Sequence, residues 1–336
     1  MPAETNAAEQ GPDGAPNLIG QSAAMQRLRA LIARYARAPY PVFIAGESGV
    51  GKELVAQCLH RAGPAPAAPF RALNCAALSP ELLEAQLFGA TRGAFTGADR
   101  DRPGLLAEIG AGTLLLDEVG EMPPPLQAKL LRLLESGEYY RLGESRPRLA
   151  TARVLAATHR DLGNAVTRGA FRADLYHRLC VLVLAVPPLR ARNDDWQLLM
   201  AHFCAENRQN FAPFVLTPES RALIAAHPFP GNVRELRNLV VRLGFRHAGR
   251  TVPPAAVLEA LEGVTHTHDT LAVSEPVHGT GLRLAEAVAR FELGLIRSAL
   301  AQCQGNLSHA ARLLGANRST LYAKLARHGV PLPATG

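Results

Sequence analysis

The sequence predicts an α/β fold: a parallel sheet flanked by helices, then a smaller helical subdomain, then a short all-α module at the C-terminus. Three observations predict it. Between residues 18 and 188, short β-rich runs (42–45, 113–116, 153–157, 181–186) alternate with longer amphipathic stretches, the pattern of parallel strands joined by helices. Between 194 and 262 the strand signal disappears and helical spacing takes over. Beyond residue 283, Leu284, Val288, Phe291 and Leu295 mark an amphipathic helix, with two shorter helices expected around Ala316.

These shifts divide the chain. Residues 1–16, rich in Ala, Gly, Pro and acids without periodicity, read as a disordered tail. An α/β subdomain follows over 17–190, a helical subdomain over 191–262, a polar Gly/Pro-punctuated linker over 263–282 and the C-terminal module over 283–336. That module holds seven Lys/Arg against Glu286 and Glu292, so +5 of the net charge of +7 falls there. A basic appendage behind a near-neutral body suits a polyanion.

Composition excludes several classes. With 336 residues, 48% of them hydrophobic, the chain can bury a core without disulfides. The longest apolar run, 180–189, contains two prolines and falls well short of the roughly 20 residues of a membrane span. The start, MPAETNAAEQ, lacks the apolar stretch of a secretory signal. Cys58, Cys75, Cys180, Cys204 and Cys303 are scattered with no C-x-x-C pair, so reduced thiols and a cytoplasmic location are expected.

The chemistry concentrates after the first strand. Gly46-Glu47-Ser48-Gly49-Val50-Gly51-Lys52-Glu53 places G-x-x-x-x-G-K between a strand and a helix. Glycines let backbone N–H groups curve around phosphate oxygens, the helix N-terminus adds partial positive charge, and Lys52 reaches the outer phosphates. Glu53 replaces the Ser/Thr that would hold magnesium. An acidic pair completes such a site: Asp117 and Glu118 end the run TLLLDE, one to hold magnesium through water, the other to activate water as a general base.

Between these halves lies Gly93-Ala94-Phe95-Thr96-Gly97-Ala98, preceded by Leu87-Phe88-Gly89. GAFTGA, set between GESGVGKE and TLLLDE, resembles the signature of bacterial enhancer-binding proteins, the AAA+ activators of sigma-54 RNA polymerase. The resemblance runs from Leu18 to Val330. It implies a P-loop AAA+ sheet with a helical lid, ATP and Mg2+ as cofactors, and a loop tip at Phe95 and Thr96 that contacts sigma-54.

Other stretches resemble the family residue by residue. Asn74, in NCAAL, would be the switch partner of Glu118; Arg172 and Arg178, in FRADLYHRL, would be arginine fingers. Arg234, in PGNVREL, would contact nucleotide from the lid as sensor II, and Thr158-His159 falls at sensor I, where relatives often carry Asn in the second place. Fingers acting on a neighbour's nucleotide need head-to-tail contacts that close into a ring, a hexamer in the family.

The C-terminal module reads locally as a helix-turn-helix. Ser308 is expected to cap a short helix, Gly315 to end it, and a second helix to start near Asn317 with Leu321 and Leu325 packing inward. Its outer face would present Arg318, Ser319, Thr320, Lys324 and Arg327 to DNA, resembling the family's Fis-type domain, although Ala323 stands where relatives often have a basic residue. The ATPase beginning near residue 18 resembles the regulator-less members, controlled by expression or by a separate protein in trans. The implied function is an ATP-dependent activator that binds enhancer DNA and remodels sigma-54 RNA polymerase holoenzyme. A DNA-binding repressor with a vestigial ATPase is the alternative.

Overall fold

The computed structural model describes residues 18–94 and 100–268, and in the C-terminal module 296, 300, 303, 306–313 and 315–327. Residues 1–17 and 95–99 lie outside it, including Phe95, Thr96, Gly97 and Ala98 of the GAFTGA loop, as do 269–295. Two compact units divide at Thr267/His268.

The first unit is built on β1 (Val42–Ala45), β2 (Phe70–Asn74), β3 (Thr113–Asp117), the small hairpin strands β4 (Glu138–Tyr139) and β5 (Arg148–Leu149), β6 (Arg153–Thr158) and β7 (Leu182–Ala185). Five of these form one parallel sheet in the order β2-β3-β6-β1-β7. Period-two alternation sends neighbouring side chains to opposite faces. Val42, Ile44, Leu115, Leu155, Ala157 and Leu184 pack on one side against Met25, Leu28 and Ile32 of α1 (Ala23–Tyr35) and Val55 and Leu59 of α2 (Lys52–Arg61). Phe43, Leu114, Leu116, Val154 and Ala156 pack on the other. There they meet α3 (Pro80–Phe88), α4 (Leu105–Ile109), α5 (Pro124–Ser136), α6 (Leu162–Thr167) and α7 (Ala173–Leu179). With both faces covered, the sheet's chemistry is confined to the carboxyl ends of its strands.

The helical subdomain comprises α8 (Asp195–Glu206), α9 (Pro218–Ala226), α10 (Asn232–Arg246) and α11 (Pro254–His268). Its core includes Trp196, Phe203, Phe211, Leu236, Val240 and Leu243. The strand signal does not vanish there completely. A two-residue parallel pair, β8 (Val215–Leu216) and β9 (Thr251–Val252), joins the segments that lead into α9 and α11 and is too short to leave a periodic pattern. Helix α11 also continues through residues 263–268, the first part of the stretch read as a linker. No helix among the described residues is long and apolar enough to cross a membrane.

In the second unit, α12 (Leu307–Leu313) and α13 (Arg318–Arg327) pack through Leu307, Ala310, Ala311, Leu321 and Leu325, joined by Ile296. Gly315 ends α12 at φ +61°; Ala316 N donates to Ala311 O at 2.9 Å and Gly315 N to Arg312 O at 3.2 Å, a Schellman pair. The cap at the other end corrects the expectation for Ser308. Asn306 Oδ1 accepts from His309 N at 3.2 Å, so the helix starts at Leu307 and Ser308 lies inside it. On α13, Thr320, Tyr322 and Ala323 are exposed while Lys324 is half-buried, and Asn317 precedes the helix on the surface. The side chains of Arg318, Ser319 and Arg327 lie outside the description.

Candidate active site

The carboxyl ends of β1 and β3 open onto one cavity of about 430 Å³, lined on its far side by the lid. The loop 46–51 leaves β1, and Lys52 opens α2 directly after Gly51, whose φ of +99° only glycine adopts readily. Gly49 shows the second glycine demand. A Cβ there would lie 2.3 Å from Gly231 O of the lid. Lys52 is buried; its Nζ donates to Gly46 O at 3.0 Å and Glu47 O at 3.3 Å and lies 3.4 Å from Glu118 Oε1. Backbone carbonyls thus hold the ammonium at the mouth of a phosphate-sized cradle.

Asp117 ends β3, and Glu118 follows it in the left-handed region at φ +53°, a conformation that costs a non-glycine residue energy and turns its carboxylate back over the site. Glu118 Oε2 accepts three hydrogen bonds, from Thr158 Oγ1 (3.1 Å), His159 N (3.2 Å) and His159 Nδ1 (2.7 Å). Burial alone would raise its pKa, but the two His159 hydrogen bonds and the Lys52 charge outweigh burial and hold it below the ordinary value. Asp117 moves the other way, raised by burial and the Glu118 charge, with Lys52 opposing. Neighbouring carboxylates with diverging pKa values are suited to different tasks.

One expected contact is not made. Asn74 lies beside Asp117 in the sheet register, but its Oδ1 accepts from Ala76 N at 2.8 Å and no hydrogen bond joins it to Glu118. His159, with an imidazole that reaches the carboxylate, takes that place.

The lid adds groups that local patterns do not reveal. Arg234 Nη1 donates to Ser48 Oγ at 3.1 Å, and the N–H groups of Val233 and Arg234 donate to Gly49 O. Asn232, buried at φ +53°, donates to Glu47 Oε2 and Ser48 O, both at 3.1 Å, and accepts from Leu189 N. Arg190 forms a two-pronged ion pair with Glu47. Sequence reasoning missed Arg190 and Asn232, because their partners Glu47 and Ser48 lie more than 140 residues away.

Arg190 and Asn232, with Arg190 dominant, pull the Glu47 pKa from 4.5 to about 2. A depressed carboxylate stabilises the fold fully above its unfolded value, and that contribution disappears as pH falls toward the folded value. Glu47→Gln is therefore expected to melt below wild type at pH 7, with the gap closing between pH 4.5 and 2. Thermal unfolding across pH checks this, and a gap independent of pH would contradict it.

Glu53 faces the same cavity. Asp117 Oδ1 accepts from Glu118 N at 3.1 Å, and no cluster of three or more metal-ligating side chains occurs among the described residues. One carboxylate beside a phosphate cradle fits magnesium, which keeps waters and shares phosphate oxygens instead of filling a protein cage. Neither Arg172 nor Arg178 is among the described residues lining the cavity. Arg172 pairs with Asp174 at 2.7 Å, and Arg178 donates from Nε (3.1 Å) and Nη2 (2.9 Å) to Leu134 O.

Known families and proteins match this chain along most of its length. Residues 18–185 match the Sigma-54 interaction domain family, 190–273 the AAA+ ATPase lid domain and 287–328 the bacterial regulatory protein, Fis family. The transcriptional regulatory protein GlrR of Escherichia coli is 40% identical over 93% of this chain and 68% of its own length. The DNA-binding transcriptional regulator NtrC of Salmonella typhimurium is 40% identical over 94% of this chain and 70% of its own. The crystal structure of Brucella abortus NtrX in complex with ATP aligns with a TM-score of 0.70 at 32% identity, covering 96% of this chain and 70% of that one. The three matched segments follow one another in the order of the nucleotide domain, its lid and a DNA-binding module. With relatives sharing two fifths of their residues across all three, the chain belongs to the sigma-54-interacting AAA+ family of bacterial transcription regulators.

Proposed function

We propose that this protein hydrolyses ATP in a ring of identical subunits and uses the turnover to remodel sigma-54 RNA polymerase holoenzyme at promoters, while its Fis-type module holds enhancer DNA. The observation that carries the reading is the convergence of Lys52, Asp117, Glu118 and Arg234 on one cavity. Lys52, with the backbone N–H groups of 46–51, binds and orients the phosphates. Glu118, ionised at neutral pH, takes the proton of the attacking water at a carboxylate oxygen. Thr158 and His159 set the direction of that carboxylate. Asp117 would hold magnesium through water, Glu53 lines the same cavity, and the bound ion would neutralise charge on the phosphates. Arg234 ties the lid to the P-loop and transmits nucleotide state to it.

Arg172 and Arg178 are proposed to serve the neighbouring subunit's site, which their exclusion from the cavity of their own chain supports. Such contacts are heterologous and close into a ring, a hexamer as the family resemblance implies. Asn317, Arg318, Ser319, Thr320, Lys324 and Arg327 are proposed to contact enhancer phosphates and base edges. The protein would work in the cytoplasm, with a separate regulatory protein in trans as a proposed source of control.

The loop 93–98 tests the reading. The motif GAFTGA holds no titratable group, and Thr96 is assigned to sigma-54 engagement rather than to hydrolysis. Thr96→Ala is expected to retain ATP turnover within about twofold and stability within about 0.5 kcal/mol, yet to fail in opening promoter complexes. Normal transcription by this variant, or loss of ATP turnover together with transcription, would remove the loop from sigma-54 engagement.

A further inference from the structure

Arg192 and Asp195 hold no role in the reading above, yet both are charged and 3% exposed. A buried charge is retained only where partners replace water. Asp195, the first residue of α8, reaches the segment that precedes α1. Its Oδ1 accepts from Gln21 N (2.6 Å) and Ser22 N (3.0 Å), and its Oδ2 from Ser22 Oγ (2.7 Å). Gly20 passes so close, at φ +140°, that a Cβ would come within 2.5 Å of Asp195 Oδ2. The two residues before Gly20, Leu18 and Ile19, line the cavity together with Leu199 and Phe203 of α8. These four side chains offer no group for a phosphate and present apolar surface fit for a flat base.

Arg192 reaches the other end. Its Nη2 donates to Val50 O in the P-loop at 2.8 Å and its Nε to Pro187 O, just past β7, at 2.9 Å. Burial lowers this guanidinium to about 10, with the Asp195 charge opposing, so the two residues are electrostatic neighbours.

We propose that Asp195 and Arg192 are positioning residues that divide the nucleotide between them: Asp195 holds the apolar wall 18–19 that takes the base, and Arg192 holds the P-loop backbone that takes the phosphates. The inference rests on the proposed ATP site and adds a division of labour within it. The stretch 192–195, which leads into α8, thereby fixes base and phosphate walls from one short piece of chain.

Inorganic tripolyphosphate separates the two ends, because it carries the phosphates without a base. Binding of ATP and of tripolyphosphate to the full chain would be measured alongside KM and kcat for ATP. Asp195→Ala is expected to raise Kd and KM for ATP about tenfold while tripolyphosphate binding changes less than about twofold and kcat moves far less than KM. Gly20→Ala, which crowds the same carboxylate from the other side, should reproduce this pattern. Ser22→Ala, which removes one of the three bonds, should give it in smaller measure, and it carries the comparison if Asp195→Ala does not fold. Arg192→Met should weaken both ligands together. Equal weakening of ATP and tripolyphosphate by the Asp195, Gly20 and Ser22 variants, or no change in either, overturns the inference. A wild-type chain that binds neither ligand overturns the proposed ATP site instead.

Discussion

Glu118→Gln is expected to bind ATP as the wild-type chain does while turnover falls by about 10²–10⁴, the span typical of a lost general base. The amide keeps the size of the carboxylate and an oxygen able to accept from Thr158 and His159, so the site's shape should survive. What it lacks is a base. Since His159 and Lys52 keep Glu118 below its ordinary pKa despite burial, the active form is already present at pH 7. Wild-type turnover should therefore not rise through this group as the pH is raised above 7. ATP binding and single-turnover hydrolysis, measured separately, check both halves. Turnover within tenfold of wild type would show that another group takes the proton.

Arg178→Ala is expected to leave nucleotide binding intact and lower turnover by about 10³–10⁵, the range of known arginine fingers. Its guanidinium donates to Leu134 O near the C-terminal end of α5, so it also satisfies a helix-end carbonyl. That local bond is worth only about 0.5–1.5 kcal/mol, too little to imitate such a loss in rate. Mixing provides the decisive comparison. Lys52→Ala subunits lack a working cradle but carry the finger, whereas Arg178→Ala subunits have the reverse defect. Mixed rings should recover turnover that neither variant shows alone. Loss of stability without loss of turnover would make Arg178 a helix-end residue only.

The sheet was legible where its strands are buried on both faces. TLLLD and the apolar runs of β1 and β6 read as continuous hydrophobic stretches, and each ends in a glycine, acid or hydroxyl group of the site. Strand β2 escaped notice because FRALN mixes charged, small and polar residues around a single buried Leu73, whereas β7, also an edge strand, is the continuous apolar run LVLA. Gly315 was legible as a helix stop through its backbone freedom. Asn306 and Ser308 are both good capping residues two positions apart, and the choice between them rests on packing of Leu307 into the core. Within the site, the glycine-rich loop and the acidic pair located Lys52, Asp117 and Glu118 by local spacing, and the family resemblance pointed to Arg234. The partner of Glu118 was not legible. Whether Asn74 or His159 meets that carboxylate depends on side-chain reach between β2 and β6, which no local pattern encodes. The same holds for Asn232, Arg190 and Arg192, whose roles exist only once the lid lies on the P-loop.

ATP turnover, rather than DNA or nucleotide binding alone, is proposed to drive sigma-54 polymerase to open a promoter. One measurement addresses it: promoter opening by sigma-54 holoenzyme, followed together with ATP hydrolysis, in the presence of the wild-type chain and either ATP or a non-hydrolysable analogue. Opening is expected with ATP only, with none from Lys52→Ala or Glu118→Gln. Opening with the analogue, or steady ATP turnover that leaves the closed complex unchanged, would contradict it.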